Sequence, residues 1–171
     1  ERLDIGEIGR AHSPRINGMS PHWAANNRNK QSLSLDLKAP GARSVLERLV
    51  KTADVVASNF RPSVMERLGL GYEDLAAINP RIICAYASGY GQGGPYAERR
   101  GQDLAAQALG GVLALTGPAD SPTAAGTYVI DYVAAMHFAQ GIMLALAARD
   151  RTGEGQVVDS CLLNSAVALH L

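Results

Sequence analysis

Apolar positions along this chain fall into short blocks separated by glycine, proline and asparagine. Ser32-Leu33-Ser34-Leu35-Asp36-Leu37 alternates with period two, which predicts a half-buried strand. After Pro40, a residue suited to a first helical turn, Val45, Leu46, Leu49 and Val50 repeat at helical spacing. Asp54 to Ala57 predicts a short Val-rich strand, followed by the loop Ser58-Asn59-Phe60-Arg61-Pro62. A helix is expected near Val64 to Leu68, ending at Gly69, and a second over Tyr72 to Ile78. Asn79-Pro80 is a turn signal, and Arg81 to Ser88 is apolar and β-rich enough for a central strand. Strands alternating with helices predict a parallel sheet with crossover helices, an α/β fold of doubly wound style.

The flanks are less regular. Residues 1–30 are polar, with Pro14, Gly18 and Pro21 scattered through them, and predict loop with a short turn around Trp23. Asp103 to Leu115 and Asp131 to Arg149 read as two long helices, apolar nearly all round and so expected to be buried between layers or against a partner chain. The longest apolar stretch, Tyr132 to Ala148, is interrupted by His137, Gln140 and Gly141 and falls short of about 20 clean apolar residues, so it predicts a buried helix rather than a membrane span. Gln156 to Leu162 suits a further strand or the start of another helix. The chain starts at Glu1, and its last apolar run, Ser165 to Leu171, has no cap. Both features lead us to expect truncation at each end.

Composition narrows the function. Sixteen basic residues balance sixteen acidic ones, which argues against a nucleic-acid binder. Apolar residues at 47% and charged residues at 19% are ordinary for a globular protein, and 171 residues suffice for one core. Cys84 and Cys161 each lie inside an apolar run, as buried reduced thiols of a cytoplasmic protein would.

Four features bear on chemistry. The loop Gly89-Tyr90-Gly91-Gln92-Gly93-Gly94 follows a strand, but a dinucleotide fingerprint must open directly into a helix, and here Pro95-Tyr96 and then Glu98-Arg99-Arg100 intervene. Asp131 stands alone among apolar residues at the start of a long helix. It suits an N-cap, and equally a carboxylate nucleophile that helix donors and the helix dipole would keep ionised. His137 lies six residues on, well round the helix from Asp131, and reads as a satisfied core or interface histidine; His12, His22 and His170 form no metal-ligand spacing. Lys38, Arg61 and Arg67 follow predicted strands or their loops, where α/β sheets bind phosphate-bearing ligands.

Several strings, in order, closely resemble the family III CoA-transferases, the group that includes formyl-CoA and carnitine CoA-transferases and the related α-methylacyl-CoA racemases. They are Asn27-Arg28-Asn29-Lys30-Gln31-Ser32-Leu33, Leu35-Asp36-Leu37-Lys38, Ala53-Asp54-Val55-Val56, Asn59-Phe60-Arg61-Pro62 and Met65-Glu66-Arg67-Leu68-Gly69-Leu70-Gly71-Tyr72. Asn79-Pro80-Arg81-Ile82-Ile83, Gly89 through Tyr96, and Arg151 through Asp159 complete the series. The resemblance implies a Rossmann-like large domain, here residues 1–171 as a partial CoA-binding and catalytic domain with the second domain missing. It implies a homodimer, interlocked in the intact protein, acting in the cytoplasm on acyl-CoA and a small carboxylate. No permanently bound cofactor, metal, nucleic acid or membrane is expected.

The same resemblance makes Asp131 the catalytic residue, carrying acyl and then CoA groups covalently. It assigns CoA contacts to Arg2, Leu35, Lys38, Asn59, Phe60, Arg61, Arg67, Arg100, Gln102 and Asp103. The family's racemases place a histidine before an aspartate; this chain has Gly101-Gln102-Asp103, and a glutamine cannot exchange a proton. Transfer is therefore expected over racemisation, with a non-catalytic CoA-binding paralogue or fragment as the other alternative.

Overall fold

A computed structural model describes residues 1–170, in two compact units divided between Leu46 and Glu47. In the first unit, a 3-10 turn at Ile8–Ala11 precedes helix α1, Pro21–Asn26. The hydroxyl of Ser20 accepts the amide of Trp23 at 3.3 Å and Pro21 occupies the first turn, so the turn expected around Trp23 is a capped helix. The Arg10 guanidinium lies 3.9 Å from the centroid of the Trp23 ring and donates to Glu1 at 2.7 Å.

The strand expected at Ser32 to Leu37 does not form. Alternation supplies two faces but not a ladder. Apart from the turn Ala39 N to Asp36 O, the segment's backbone links among the described residues are to Glu1, through Glu1 N to Leu33 O and Leu35 N to Glu1 O, and Leu33 is 48% exposed. Helix α2, Ala42–Val50, forms where helical spacing placed it.

The second unit holds the sheet. Strands β1 (Val55–Ser58), β2 (Ile83–Ser88) and β3 (Val157–Cys161) are parallel in the order β1-β2-β3, with Val55 opposite Ile83 and Cys84 opposite Val157. Helices α3 (Pro62–Arg67) and α4 (Tyr72–Ala76) connect β1 to β2. Helices α5 (Asp103–Leu109), α6 (Val112–Leu115) and α7 (Val129–Thr152) connect β2 to β3, and α8 (Leu162–Ala168) follows. The central strand reads as a continuous apolar run because both its faces are covered, and Ile82, Ile83, Cys84 and Ala85 are fully buried. Asn79 explains its turn: its side-chain amide donates to the carbonyls of Val50 and Ala53, both at 3.0 Å, tying the end of α2 to the start of β1. Both cysteines are free and buried.

One expectation about the long helices changes. Asp103 to Leu115 is not one helix, because Gly110 ends α5 and Gly111 adopts φ +88°. Gly110 has no room for a side chain against Ala166 of α8. Within this chain α7 is covered on one side only. It lies on β2, β3 and α8 through Ile130, Ala134 and Ala145, while Met136 and Leu144 are 62% and 72% exposed. Its contact with β3 is close at Gly141, where a Cβ would stand 2.7 Å from Val158 Cγ1. At 24 residues, α7 is long and apolar enough to cross a membrane by length and composition. In this fold it lies as a layer on the sheet with apolar residues on its uncovered side as well, and its last turn buries Arg149.

Candidate functional site

The strands deliver their C-terminal ends to a cleft of about 540 Å³. Asn59, Phe60 and Arg61 reach it from the loop after β1, Ser88 and Gly89 from the end of β2, and Leu162 from the start of α8. Crevices outside the carboxyl ends of parallel strands are where open α/β sheets bind ligands. Asp131, Ala134, Ala135 and Phe138 of α7 form one wall, and residues from Ala97 to Gln102 form another.

Each wall has a local cause. The hydroxyl of Ser58 accepts the amide of Phe60 at 3.1 Å and bends the chain out of β1; the Phe60 ring remains 46% exposed. Gly89 and Gly101 meet backbone to backbone, so that a Cβ on Gly89 would stand 2.5 Å from Gly101 Cα. That contact lays the 97–102 segment against the end of β2. Glu98 ties the same segment to the start of α3, its carboxylate accepting Ser63 Oγ at 3.0 Å and its carbonyl accepting Arg61 at 3.4 Å.

The glycine loop turns away from dinucleotide use. Gly91 N donates to Ser88 Oγ at 2.9 Å and Gln92 N to Asp159 Oδ2 at 3.1 Å, and no helix opens before Asp103.

Asp131 is not the cap of its helix. It is the third residue of α7, and the free donors at that helix end are taken by Asp103. Asp103 Oδ1 accepts the amides of Ile130 at 2.8 Å and Asp131 at 3.0 Å. Its other oxygen accepts Gln107 Nε2, one turn along α5, and Gln107 Oε1 accepts Ala125 N at 2.9 Å. Asp103 and Gln107 are buried; this pair pins residues 125–131. The Asp131 carboxylate has no hydrogen-bond donor among the described residues and opens on the cleft. Loss of solvation at the cleft wall, with the Asp103 carboxylate adding to it, pushes the Asp131 carboxyl above its ordinary value. The helix donors that the sequence led us to expect at this carboxylate are spent on Asp103 instead.

Of the other predicted site residues, the cleft brings together Asn59, Phe60, Arg61, Arg100 and Gln102 with Asp131. Asp103 sits behind it, committed to α7. Arg67 is exposed on α3 and does not line the cleft. Arg2, Leu35 and Lys38 belong to the first unit, where Arg2 pairs with Asp4 at 2.8 Å. His137 is satisfied as expected, with Nδ1 3.1 Å from Ser165 Oγ, and does not line the cleft. Sequence reasoning missed Arg99 and the α7 wall, although Ala134, Ala135 and Phe138 stand three, four and seven residues after Asp131, on its helical face.

The cleft at the strand ends of a parallel α/β sheet thus gathers one carboxylate, Asp131, and three arginines, Arg61, Arg99 and Arg100. The family model for CoA-transferase family III matches residues 1–170, and this chain belongs to that family. It is 41% identical over 165 residues to the acetyl-CoA:oxalate CoA-transferase of Acetobacter aceti, covering 95% of this chain and 42% of that protein. It is 41% identical over 156 residues to the succinyl-CoA–D-citramalate CoA-transferase of Chloroflexus aurantiacus, covering 91% and 39%. A crystal structure of a CAIB/BAIF family protein from Brucella suis superposes with TM-score 0.92 at 35% identity, covering 98% of this chain and 46% of that one. The chain therefore spans about two fifths of the length of these curated relatives.

Proposed function

We propose that this chain carries the CoA-binding and acyl-carrier part of an enzyme that moves CoA between carboxylic acids, with Asp131 as the covalent carrier. The observation that supports this most is the Asp131 carboxylate itself: unbonded, open to the cleft, and fixed through its own backbone amide by Asp103. A nucleophile should be held by its backbone and left free at its reactive atoms.

In this reading an Asp131 oxygen attacks the thioester carbonyl of the donor. The C–S bond breaks, CoA leaves as thiolate, and a mixed anhydride forms. The thiolate then attacks the aspartyl carbonyl and expels the donor acid, leaving an aspartyl-CoA thioester. The acceptor carboxylate attacks that carbonyl and regenerates thiolate and a new anhydride. Attack of the thiolate on the acceptor's acyl carbon yields the new acyl-CoA and frees Asp131. Each step is a nucleophilic acyl substitution that balances in atoms and charge and changes no oxidation state. Asn59, Phe60, Arg61 and Arg100 hold CoA, the arginines facing phosphates and the exposed Phe60 ring offering a surface for adenine. Gln102 lines the cleft where proton exchange would need an acid or base, which favours transfer over racemisation.

The names of the two relatives specify oxalate and D-citramalate as acceptors, and we propose short carboxylic acids of this kind here. The exposed apolar face of α7 supports a homodimer in the whole protein, checkable by light scattering. The central test incubates the full-length protein with acyl-CoAs, traps with hydroxylamine or borohydride, and maps the modified residue by mass spectrometry. Modification at Asp131 that disappears in Asp131→Ala is expected; an unmodified Asp131 together with α-proton exchange into heavy water sinks the proposal.

A further inference from the structure

We infer that Arg99 is the specificity-determining residue of this cleft, pairing with the distal carboxylate of a dicarboxylic acid whose other end is processed at Asp131; this rests on the function proposed above. The chain as a whole is charge-balanced, yet Arg61, Arg99 and Arg100 line the cleft against the single cleft-lining carboxylate of Asp131.

The three arginines are not equivalent. Arg61 spends a donor on the Glu98 carbonyl, and Arg100 has no fixing contact among the described residues. Arg99 is held without spending any donor. Its guanidinium lies 4.1 Å from the centroid of the Tyr96 ring, and Tyr90 braces Tyr96 edge-on at 5.6 Å. An aromatic support fixes the guanidinium plane and leaves its fork of N–H groups at the edge, the geometry that grips a carboxylate in bidentate fashion. No acceptor among the described residues takes those donors.

The facing wall argues the same way. Ala134, Ala135 and Phe138 accept a short methylene chain but offer no donor to a second carboxylate. A charged group entering that space needs its partner from elsewhere in the cleft lining, and Arg99 is the cation held by stacking there. A monocarboxylic acid of equal length would merely leave an exposed arginine solvated. The discrimination should therefore be moderate, about ten- to a hundredfold rather than absolute.

The experiment uses the full-length protein with succinate against butyrate, and glutarate against valerate, as CoA acceptors and as ligands in calorimetry. Wild type should favour each dicarboxylate. Arg99→Met should lower kcat/KM and affinity for the dicarboxylates by about tenfold or more, while changing the monocarboxylates by less than about twofold. Arg99→Lys should fall between. Equal losses for both acid classes, no preference in wild type, or weakened binding of free CoA, which would make Arg99 a phosphate ligand, each overturns the inference. If wild type transfers no CoA yet binds dicarboxylates through Arg99, the carrier reading fails and with it the processing at Asp131, while the pairing of Arg99 with a carboxylate stands. If transfer runs through Asp131 without discrimination, the reverse holds.

Discussion

Asp103 holds the backbone amide of Asp131 at 3.0 Å, while the side chain of Asp131 receives no donor among the described residues. One buried carboxylate thus positions the other and also repels its charge. Asp103→Ala should cost about 1–3 kcal/mol in urea unfolding, because two amides and the Gln107 side chain lose their acceptor. Asp103→Asn keeps an acceptor and removes the charge, so it should cost less. It should also shift activity. A nucleophile must be ionised, and a carboxyl raised above its ordinary value loses activity as pH falls through that raised value. With Asp103 neutral, the acidic limb of kcat/KM should move to lower pH. An unmoved limb would mean that solvation alone sets the Asp131 carboxyl.

Asp131 should also be a stability liability. Its folded-state pKa lies above the unfolded one, so the folded state binds its proton more tightly. Folding is then favoured by protonation and penalised once pH exceeds the unfolded value, the full penalty being present above the folded value. Asp131→Asn removes a charge that makes no hydrogen bond. It should raise Tm at pH 7, and the gain should shrink as pH falls through the carboxyl range, while CoA transfer is lost. Differential scanning calorimetry at pH 7 and near pH 4 checks this. A lower Tm at pH 7 would show a stabilising partner for Asp131.

How much of this was legible follows from where the information sits. The crossover segment was readable because local signals agreed: helical spacing over α2, Gly69 with φ +65° just after α3, and Asn79-Pro80 before β2. Ser32 to Leu37 misled because period two specifies faces, and a strand also needs a neighbour to ladder with. Asp131 was legible as an isolated carboxylate at a helix start, but its environment was not. Asp103 lies 28 positions earlier, and only the tertiary fold brings its carboxylate onto the α7 amides. Arg99 was hidden similarly, since Arg99 and Arg100 differ only in which of them Tyr96 supports.

The Gly89–Gly101 contact predicts a sharp contrast among glycines of one region. A methyl on Gly101 collides with Gly89 backbone, which cannot swing aside as a side chain would. Gly101→Ala should cost at least about 1–3 kcal/mol and displace Arg99, Arg100 and Gln102 together, weakening CoA binding. Gly93→Ala meets nothing within 4 Å and should be neutral in both respects. Equal effects from the two substitutions would mean that the 97–102 segment is not seated on the end of β2.

Arg149 and Asp54 form an ion pair at 2.8 Å whose two ends should prove unequal. The Arg149 side chain is 9% exposed and that of Asp54 is 73% exposed. Arg149 also donates to the carbonyls of Arg81 at 3.1 Å and Asp54 at 3.4 Å, clamping the approaches to β1 and β2. Losing the carboxylate leaves those bonds in place and exposes nothing new to a dry environment, so Asp54→Asn should cost less than about 1 kcal/mol. Arg149→Met removes all three bonds at a buried position and strands two carbonyls, for about 2–4 kcal/mol despite its apolar volume. Urea unfolding of both variants and their double mutant measures the coupling. If Asp54→Asn proved as costly as Arg149→Met, the charge pair rather than the carbonyl clamp would be what holds the sheet's lower edge to α7.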